Sequence, residues 1–303
     1  MEQSKSQIKS PLTNGTTKRI ASLDVSKVVK GYKDLYNIDI RNIFSKTETL
    51  FLYKCIDSDY EFYYPFNSAG DYEFYKQLAL YDWYYIPWKW EHERSISFVE
   101  KATSILEIGC GSGSFLKEIV KRYPDKKVTG LEITIGDEKE EFILNETIEE
   151  HAAKIVEKYD LVCFYQVLEH ISNTKSFLEA SIKVLKLGGE MIISVPNNNS
   201  VFLKGKGNVL LNMPPHHMGL WDNQSLEFLS KFFSLQIVKR FYEPIQDYHF
   251  EWFKSILKEK IRSTNLSILF RISSNNKFMN IMANVFRKFY RGQSIMFVYK
   301  KRK

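Results

Sequence analysis

Cysteine is scarce, and the three present, Cys55, Cys110 and Cys163, lie far apart. Such spacing offers neither a disulfide framework nor a metal-binding pair, so no disulfide and no zinc ribbon is expected and a reducing compartment fits. No apolar run reaches the length that spans a bilayer. The first twenty residues lack the apolar stretch of a signal peptide and scatter Lys5, Lys9, Lys18 and Arg19 among Ser, Thr and Asn. The expected location is therefore the cytoplasm, with residues 1–20 disordered or weakly docked. Internal repeats are missing too, which removes repeat architectures.

An even spread of positive charge is also lacking. The net charge is +7, yet residues 251–303 alone carry +11 and leave −4 on residues 1–250. The part of the chain that holds the motifs below is thus mildly acidic, and a nucleic-acid partner is not expected. The basic segment reads as a solvated helical face or as a contact for an anionic partner such as a membrane surface. With 303 residues and 44% hydrophobic content, the chain is long enough for one main domain with a small appendage.

What is present centres on Ser104-Ile105-Leu106-Glu107-Ile108-Gly109-Cys110-Gly111-Ser112-Gly113, followed by Phe115, Leu116, Ile119, Val120 and Tyr123 at helical spacing. This reads as strand, glycine turn and helix, the junction where open α/β sheets bind ligands. Glycines let a ligand press on backbone N–H groups at the start of a helix. The dinucleotide fingerprint requires a glycine where this chain has Ser114. A second strand, Lys126 to Ile133, ends in Glu132, 21 residues beyond Gly111. A carboxylate there offers paired acceptors for the two hydroxyls of a ribose.

A short third strand, Phe142-Ile143-Leu144, follows after a connection too brief for the usual crossover helix. The apolar run from Asp160 to Gln166 reads as a central fourth strand, ending in Val167-Leu168-Glu169-His170. A helix stopped by Gly188-Gly189 and a fifth strand, Glu190 to Val195, come next. The long connection Asn197 to Trp221 carries Pro214-Pro215-His216-His217, in which two prolines fix the backbone ahead of two imidazoles. A helix capped near Asp222 and strands at 235–242 and 293–300 complete the pattern.

Together these motifs resemble class I S-adenosylmethionine-dependent methyltransferases, and the Leu-Glu-His ending resembles the quinone and sugar O-methyltransferases among them. The resemblance implies an α/β fold, a Rossmann-like seven-stranded sheet with helices on both faces and an antiparallel last strand. Here that sheet would carry an N-terminal aromatic-rich lid and a helical insertion before its last strand. The expected organisation is a helix, hairpin and lid over 21–88, a cofactor-binding core over 89–245, a basic insertion over 246–291 and the last strand over 292–303. The insertion's amphipathic stripes suit dimerisation, covering of the substrate, or rest on a membrane surface through residues 251–291.

S-adenosylmethionine is the implied cofactor. Glu107, Gly109, Cys110, Gly111, Gly113, Glu132, Ile133 and Gln166 are its expected contacts, with Thr147 and Ile148 at the adenine. His216, His217 and His170 are the candidate catalytic residues, since a histidine can take a proton from a hydroxyl nucleophile. The implied reaction is O-methylation of a small-molecule or glycan acceptor. A nicotinamide-dependent oxidoreductase and a catalytically silent cofactor-binding module are the alternatives. A related RNA methyltransferase family holds a divalent metal with a Glu-x-x-Glu-His pattern and a later histidine. Glu169, His170 and His216 or His217 match it, but Gln166 replaces the first glutamate, so no metal is expected.

Overall fold

The computed structural model describes residues 8–84, 86–133, 140–203, 209–262 and 276–302. Residues 1–20 are expected to be disordered or weakly docked; of them, residues 8–20 are described and pack against the fold. Leu12 is fully buried in the main core. Ser10 Oγ accepts the N–H groups of Leu12 and Thr13, and Thr13 Oγ1 accepts that of Gly15. The polar residues that read as disorder therefore close turns.

Strand β1 (Thr17–Asp24) leads into helix α1 (Val25–Tyr36), capped by Asp24, which accepts the Ser26 N–H. Strands β2 (Thr49–Cys55) and β3 (Glu61–Tyr64) form the expected hairpin, with β1 antiparallel to β2. Leu50, Leu52 and Tyr63 meet Val28 and Tyr32 of α1 and Phe74 of α2 (Tyr72–Leu78) in a core of their own.

The main sheet begins with α3 (Trp90–Val99), β4 (Ser104–Ile108), α4 (Ser114–Arg122), β5 (Lys127–Leu131) and β6 (Ile143–Leu144). It continues with α5 (Ile148–Lys154), β7 (Tyr159–Tyr165), α6 (Thr174–Val184), β8 (Leu185–Pro196), β9 (Gly219–Leu220), α7 (Asn223–Phe232) and β10 (Leu235–Pro244). Helices α8 (Phe250–Arg262) and α9 (Asn276–Phe286) precede β11 (Arg291–Lys301). Of these strands, β9 joins the N-terminal sheet, and the other seven lie in the order β10-β11-β8-β7-β4-β5-β6. β11 runs antiparallel to both its neighbours. This is the seven-stranded Rossmann-like sheet that the motifs implied. Alternate residues feed two cores, Leu106, Val162 and Phe164 on one face and Ile105, Leu161 and Cys163 on the other, as a sheet covered on both sides requires.

One boundary differs from the sequence reading. Gly188-Gly189 do not end α6, which stops at Val184. They lie inside β8, where pairing with β7 jumps from Tyr159↔Leu185 to Leu161↔Glu190. The extra residues bulge, and Gly188 takes φ +76°, which a side chain would resist.

In the 246–291 segment, Phe253 and Leu257 of α8 pack on Met279 and Ala283 of α9. Phe278, Ile281 and Val285 face outward. Among the described residues no helix is long and apolar enough to cross a membrane.

The connection between β8 and α7 is clipped to the N-terminal sheet. β9 pairs with β3 through Phe62↔Gly219 and Glu61↔Leu220. Trp221 is fully buried, and its ring stacks on Tyr60 with centroids 4.2 Å apart. This clip fixes the two-histidine segment over the carboxyl ends of the parallel strands.

Candidate active site

A cavity of about 580 Å³ opens at those carboxyl ends. Its floor is the glycine turn. The N–H groups of Gly109 and Cys110 both donate to Leu131 O, at 2.8 and 3.1 Å, which ties the turn to the end of β5. Gly109, Gly111 and Gly113 all have φ between +54° and +73°, a region open to glycine at little cost. A Cβ on Gly109 would lie 2.5 Å from Val167 Cγ2.

Glu132 bends back to this turn. Its Oε2 accepts the Gly111 N–H and its Oε1 the Ile133 N–H, each at 2.9 Å. The carboxylate is thereby held beside the glycines. Glu107 lies beneath, buried, with Oε2 lacking any hydrogen-bond partner. Burial, and after it the nearby Glu132 charge, push its carboxyl well above the usual range.

At the end of β7, Gln166 has φ +56°, an uncommon conformation for a side-chain-bearing residue and one that clusters at functional positions. Its Nε2 donates long bonds to Ser194 Oγ, Glu91 Oε1 and Ser294 Oγ, at 3.3, 3.4 and 3.5 Å. Burial raises the carboxyls of both Glu91 and Glu243, which line the same cavity.

The opposite wall is imidazole. His170 Nδ1 donates to His216 O at 2.6 Å, His216 Nδ1 to Leu211 O at 2.8 Å, and His217 Nδ1 to Asn212 Oδ1 at 3.0 Å. Carbonyl oxygens only accept, so each ring is fixed with its proton on Nδ1. The His216 and His217 rings stack at 4.4 Å, and His170 stands edge-on to both. Burial lowers the proton affinity of all three, His170 to about 4 and the other two well below the usual histidine value. Glu169, just before His170, is 1% exposed, and neither of its oxygens has a hydrogen-bond partner among the described residues. Burial lifts its carboxyl to about 8.

The cavity therefore brings together Glu107, Gly109, Cys110, Gly111, Glu132, Ile133, Gln166, His170, His216 and His217. Three expected contacts are placed elsewhere. Gly113 sits at the N-cap of α4. Thr147 caps α5, accepting the Glu150 N–H while the Glu150 carboxylate accepts its own, and Ile148 is core. β6 spans two residues, so α5 starts close behind it and draws both side chains away from the cavity.

The aromatic stretch acts in two ways. Phe74 and Leu78 fill the N-terminal core, while Tyr75, Trp83 and Tyr84 line the cavity. Tyr85 lies outside the described residues. Sequence reasoning missed Glu91 and Glu243, which look like solvated charges until α3 and the β10–β11 pair bring them inward. An acidic residue next to a histidine at the start of a buried helix was the available signal for Glu91.

His92, beside Glu91, packs between the Phe115 and Tyr165 rings, each at 4.9 Å, and accepts the Lys89 N–H on Nδ1. Burial, and then the Lys89 charge, lower it to about 3. The unfolded imidazole binds a proton near pH 6.5 and the folded one does not, so this stability is present above pH 6.5 and is lost as pH falls. Between pH 7.5 and 4.5 the loss from His92 amounts to about 2.5 kcal/mol. Urea midpoints across this range should fall less steeply in His92→Phe. Equal slopes would show that His92 is protonated in the fold.

A family model described as a methyltransferase domain matches residues 88–239, half of the chain. Ubiquinone biosynthesis O-methyltransferases of Salmonella enteritidis PT4 and Salmonella arizonae are 32% identical over 108 residues, which is 31% of this chain and 43% of theirs. The chain thus spans under half the length of the curated relatives it matches. A solved SAM-dependent methyltransferase from Archaeoglobus fulgidus aligns with 70% of this chain and 91% of its own, at 18% identity and a TM-score of 0.48. With the family model covering half of the chain, from the leading helix into β10, this chain belongs to the methyltransferase-domain family.

Proposed function

We propose that the protein transfers a methyl group from S-adenosylmethionine to an oxygen of a small-molecule or glycan-related acceptor. The observation that carries this reading is the Glu132 carboxylate tied to the Gly111 N–H beside the glycine turn. The residues present suit the cofactor. Gly109 lies so close to Val167 that only a glycine fits there, which keeps the bare backbone of the turn at the cavity floor, and the buried Glu107 Oε2 has no hydrogen-bond partner among the described residues.

In this reading Glu132 accepts the ribose hydroxyls, and Gly109 and Gly111 admit the ligand against the backbone. Gln166, at the end of the central strand, faces the methionine part. Held there, the cofactor would supply a sulfonium methyl to the acceptor oxygen, with the C–S electron pair remaining on sulfur and the hydroxyl proton passing to a neutral imidazole of the histidine wall. Tyr75, Tyr84 and the histidines form the acceptor end and help exclude water, so that positioning provides much of the rate.

Glu91, Glu107, Glu132, Glu169 and Glu243 line the cavity, with Lys89 as its cation. With one lysine and no arginine among the described lining residues, the cavity offers little to bind a polyphosphate or nucleic-acid backbone, which supports the small-molecule reading.

Titration calorimetry is the test. S-adenosylmethionine should bind and NAD should not, and Glu132→Gln should weaken the methyl donor by roughly 10–100-fold, the value of a charge-assisted hydrogen-bond pair. NAD binding with no response to S-adenosylmethionine would favour an oxidoreductase. Donor binding without methylated product from any acceptor screened would favour a silent module.

A further inference from the structure

Methyl transfer makes no use of the helices between β10 and β11. There α9 carries apolar side chains on two faces. Met279 and Ala283 are fully buried against Phe253 and Leu257 of α8. Phe278, Ile281 and Val285 recur at i, i+3 and i+7 on another face, and Phe289 continues the stripe in the 3-10 turn Arg287–Phe289. Ile281, Val285 and Phe289 are 65%, 53% and 78% exposed. Scattered apolar residues on a surface need no explanation, but a helix that already has its packed face gains nothing in water from a second.

Charge points the same way. Residues 260–303 hold eleven Lys and Arg and no Asp or Glu. Lys277 lies one turn before Ile281, and Lys288 three residues after Val285, so two exposed ammonium groups flank the stripe. The remaining surface of α9 is the uncharged Asn276, Asn280 and Asn284. Among the described residues, Asp247 is the acid paired with this stretch, through Arg287 at 2.7 Å.

We propose that α9 and the turn behind it seat on the surface of a bilayer that contains anionic lipid. Ile281, Val285 and Phe289 enter the boundary between headgroups and acyl chains, and Lys277 and Lys288 meet the phosphates. A lysine keeps its head among the phosphates while its stem lies along buried apolar groups. At eleven residues α9 is too short to span the hydrocarbon, so it lies in the plane of the interface.

Stripe and charge together choose the occupant. A second copy of the chain would match the stripe to itself but bring like charges together. Four side chains also offer far less than the roughly 800 Å² per partner of a stable dimer. A nucleic-acid backbone would meet the lysines and leave the apolar side chains against phosphate. An anionic bilayer satisfies both features at once.

The test mixes the full chain with vesicles and reads the bound fraction by co-sedimentation. Vesicles of phosphatidylcholine with roughly one-third phosphatidylglycerol should capture the protein, and phosphatidylcholine alone should bind it at least about 10-fold more weakly. The difference should shrink as salt rises. Lys277→Gln/Lys288→Gln and Ile281→Ser/Phe289→Ser should each weaken binding to the anionic vesicles by about 10-fold or more. These side chains are exposed, so circular dichroism and urea midpoints should match wild type in both variants.

A folded wild-type protein that ignores anionic vesicles overturns the proposal. So does anionic binding unchanged by Ile281→Ser/Phe289→Ser, which would make the contact one of charge alone. A concentration-dependent dimer that the same variant dissolves in sedimentation would assign the face to a second copy, and overturns it too. None of these readouts depends on methyl transfer.

Discussion

Gly109→Ala should lower the affinity for S-adenosylmethionine by about 100-fold or more, the equivalent of about 2.7 kcal/mol. Two penalties act together. At φ +69° an alanine meets its own carbonyl oxygen, at a cost of about 1–2 kcal/mol. Its Cβ also falls 2.5 Å from Val167 Cγ2, and overpacking of this kind costs about 1–3 kcal/mol.

Val167 immediately precedes the 3-10 turn Leu168–His170, so the strain reaches Glu169 and His170 at the far wall. The substitution should therefore damage both ends of the cavity. Shortening the neighbour in Gly109→Ala/Val167→Ala should restore part of the affinity and leave the dihedral cost. Affinity within threefold of wild type in the single variant would mean that the turn does not hold the cofactor.

Trp221→Ala should cost about 3–5 kcal/mol of stability, the range for removal of a buried tryptophan. The residue is fully buried, stacked on Tyr60 and packed within the core that the main sheet shares with Leu12, Cys55 and Phe62 of the N-terminal region. Its carbonyl oxygen accepts the N–H and the Nδ2 of Asn198.

The loss should not be spread evenly. The glycine turn is formed by β4, α4 and β5 and does not touch Trp221, whereas the histidine segment is clipped next to it. Urea denaturation should show the lowered midpoint, and at low urea donor binding should survive while methyl transfer falls. Equal loss of both would show that the two walls are one cooperative unit.

Much of the main sheet was legible because its signals are local. Gly109, Gly111 and Gly113 mark a turn through their dihedrals, Glu132 ends a strand at a set distance from that turn, and the run from Asp160 to Gln166 has the unbroken apolarity of a strand covered on both faces.

Long-range signals were hidden. Thr147 and Ile148 look like pocket residues only if a full third strand precedes them, and β6 has two residues. Residues 1–20 read as disordered or weakly docked because they are rich in Ser, Thr, Lys and Asn, and nothing local says that Leu12 ends in the main core. The four-stranded sheet could not be read because its last strand comes from beyond β8, and a dipeptide such as Gly219-Leu220 has no strand signature of its own. Gly188 and Gly189 show the reverse case, a correct punctuation signal marking a bulge within a strand.

The pairing of β3 with β9 has a consequence for biosynthesis. Phe62 and Gly219 are 157 residues apart. At about 5–20 residues per second the ribosome needs on the order of 10–30 seconds to deliver the second after the first. During that interval the outer edge of β3 has no strand to pair with, and such an edge invites intermolecular addition. The histidine wall is thus among the last features to assemble on a nascent chain, and the N-terminal sheet has to remain monomeric while it waits.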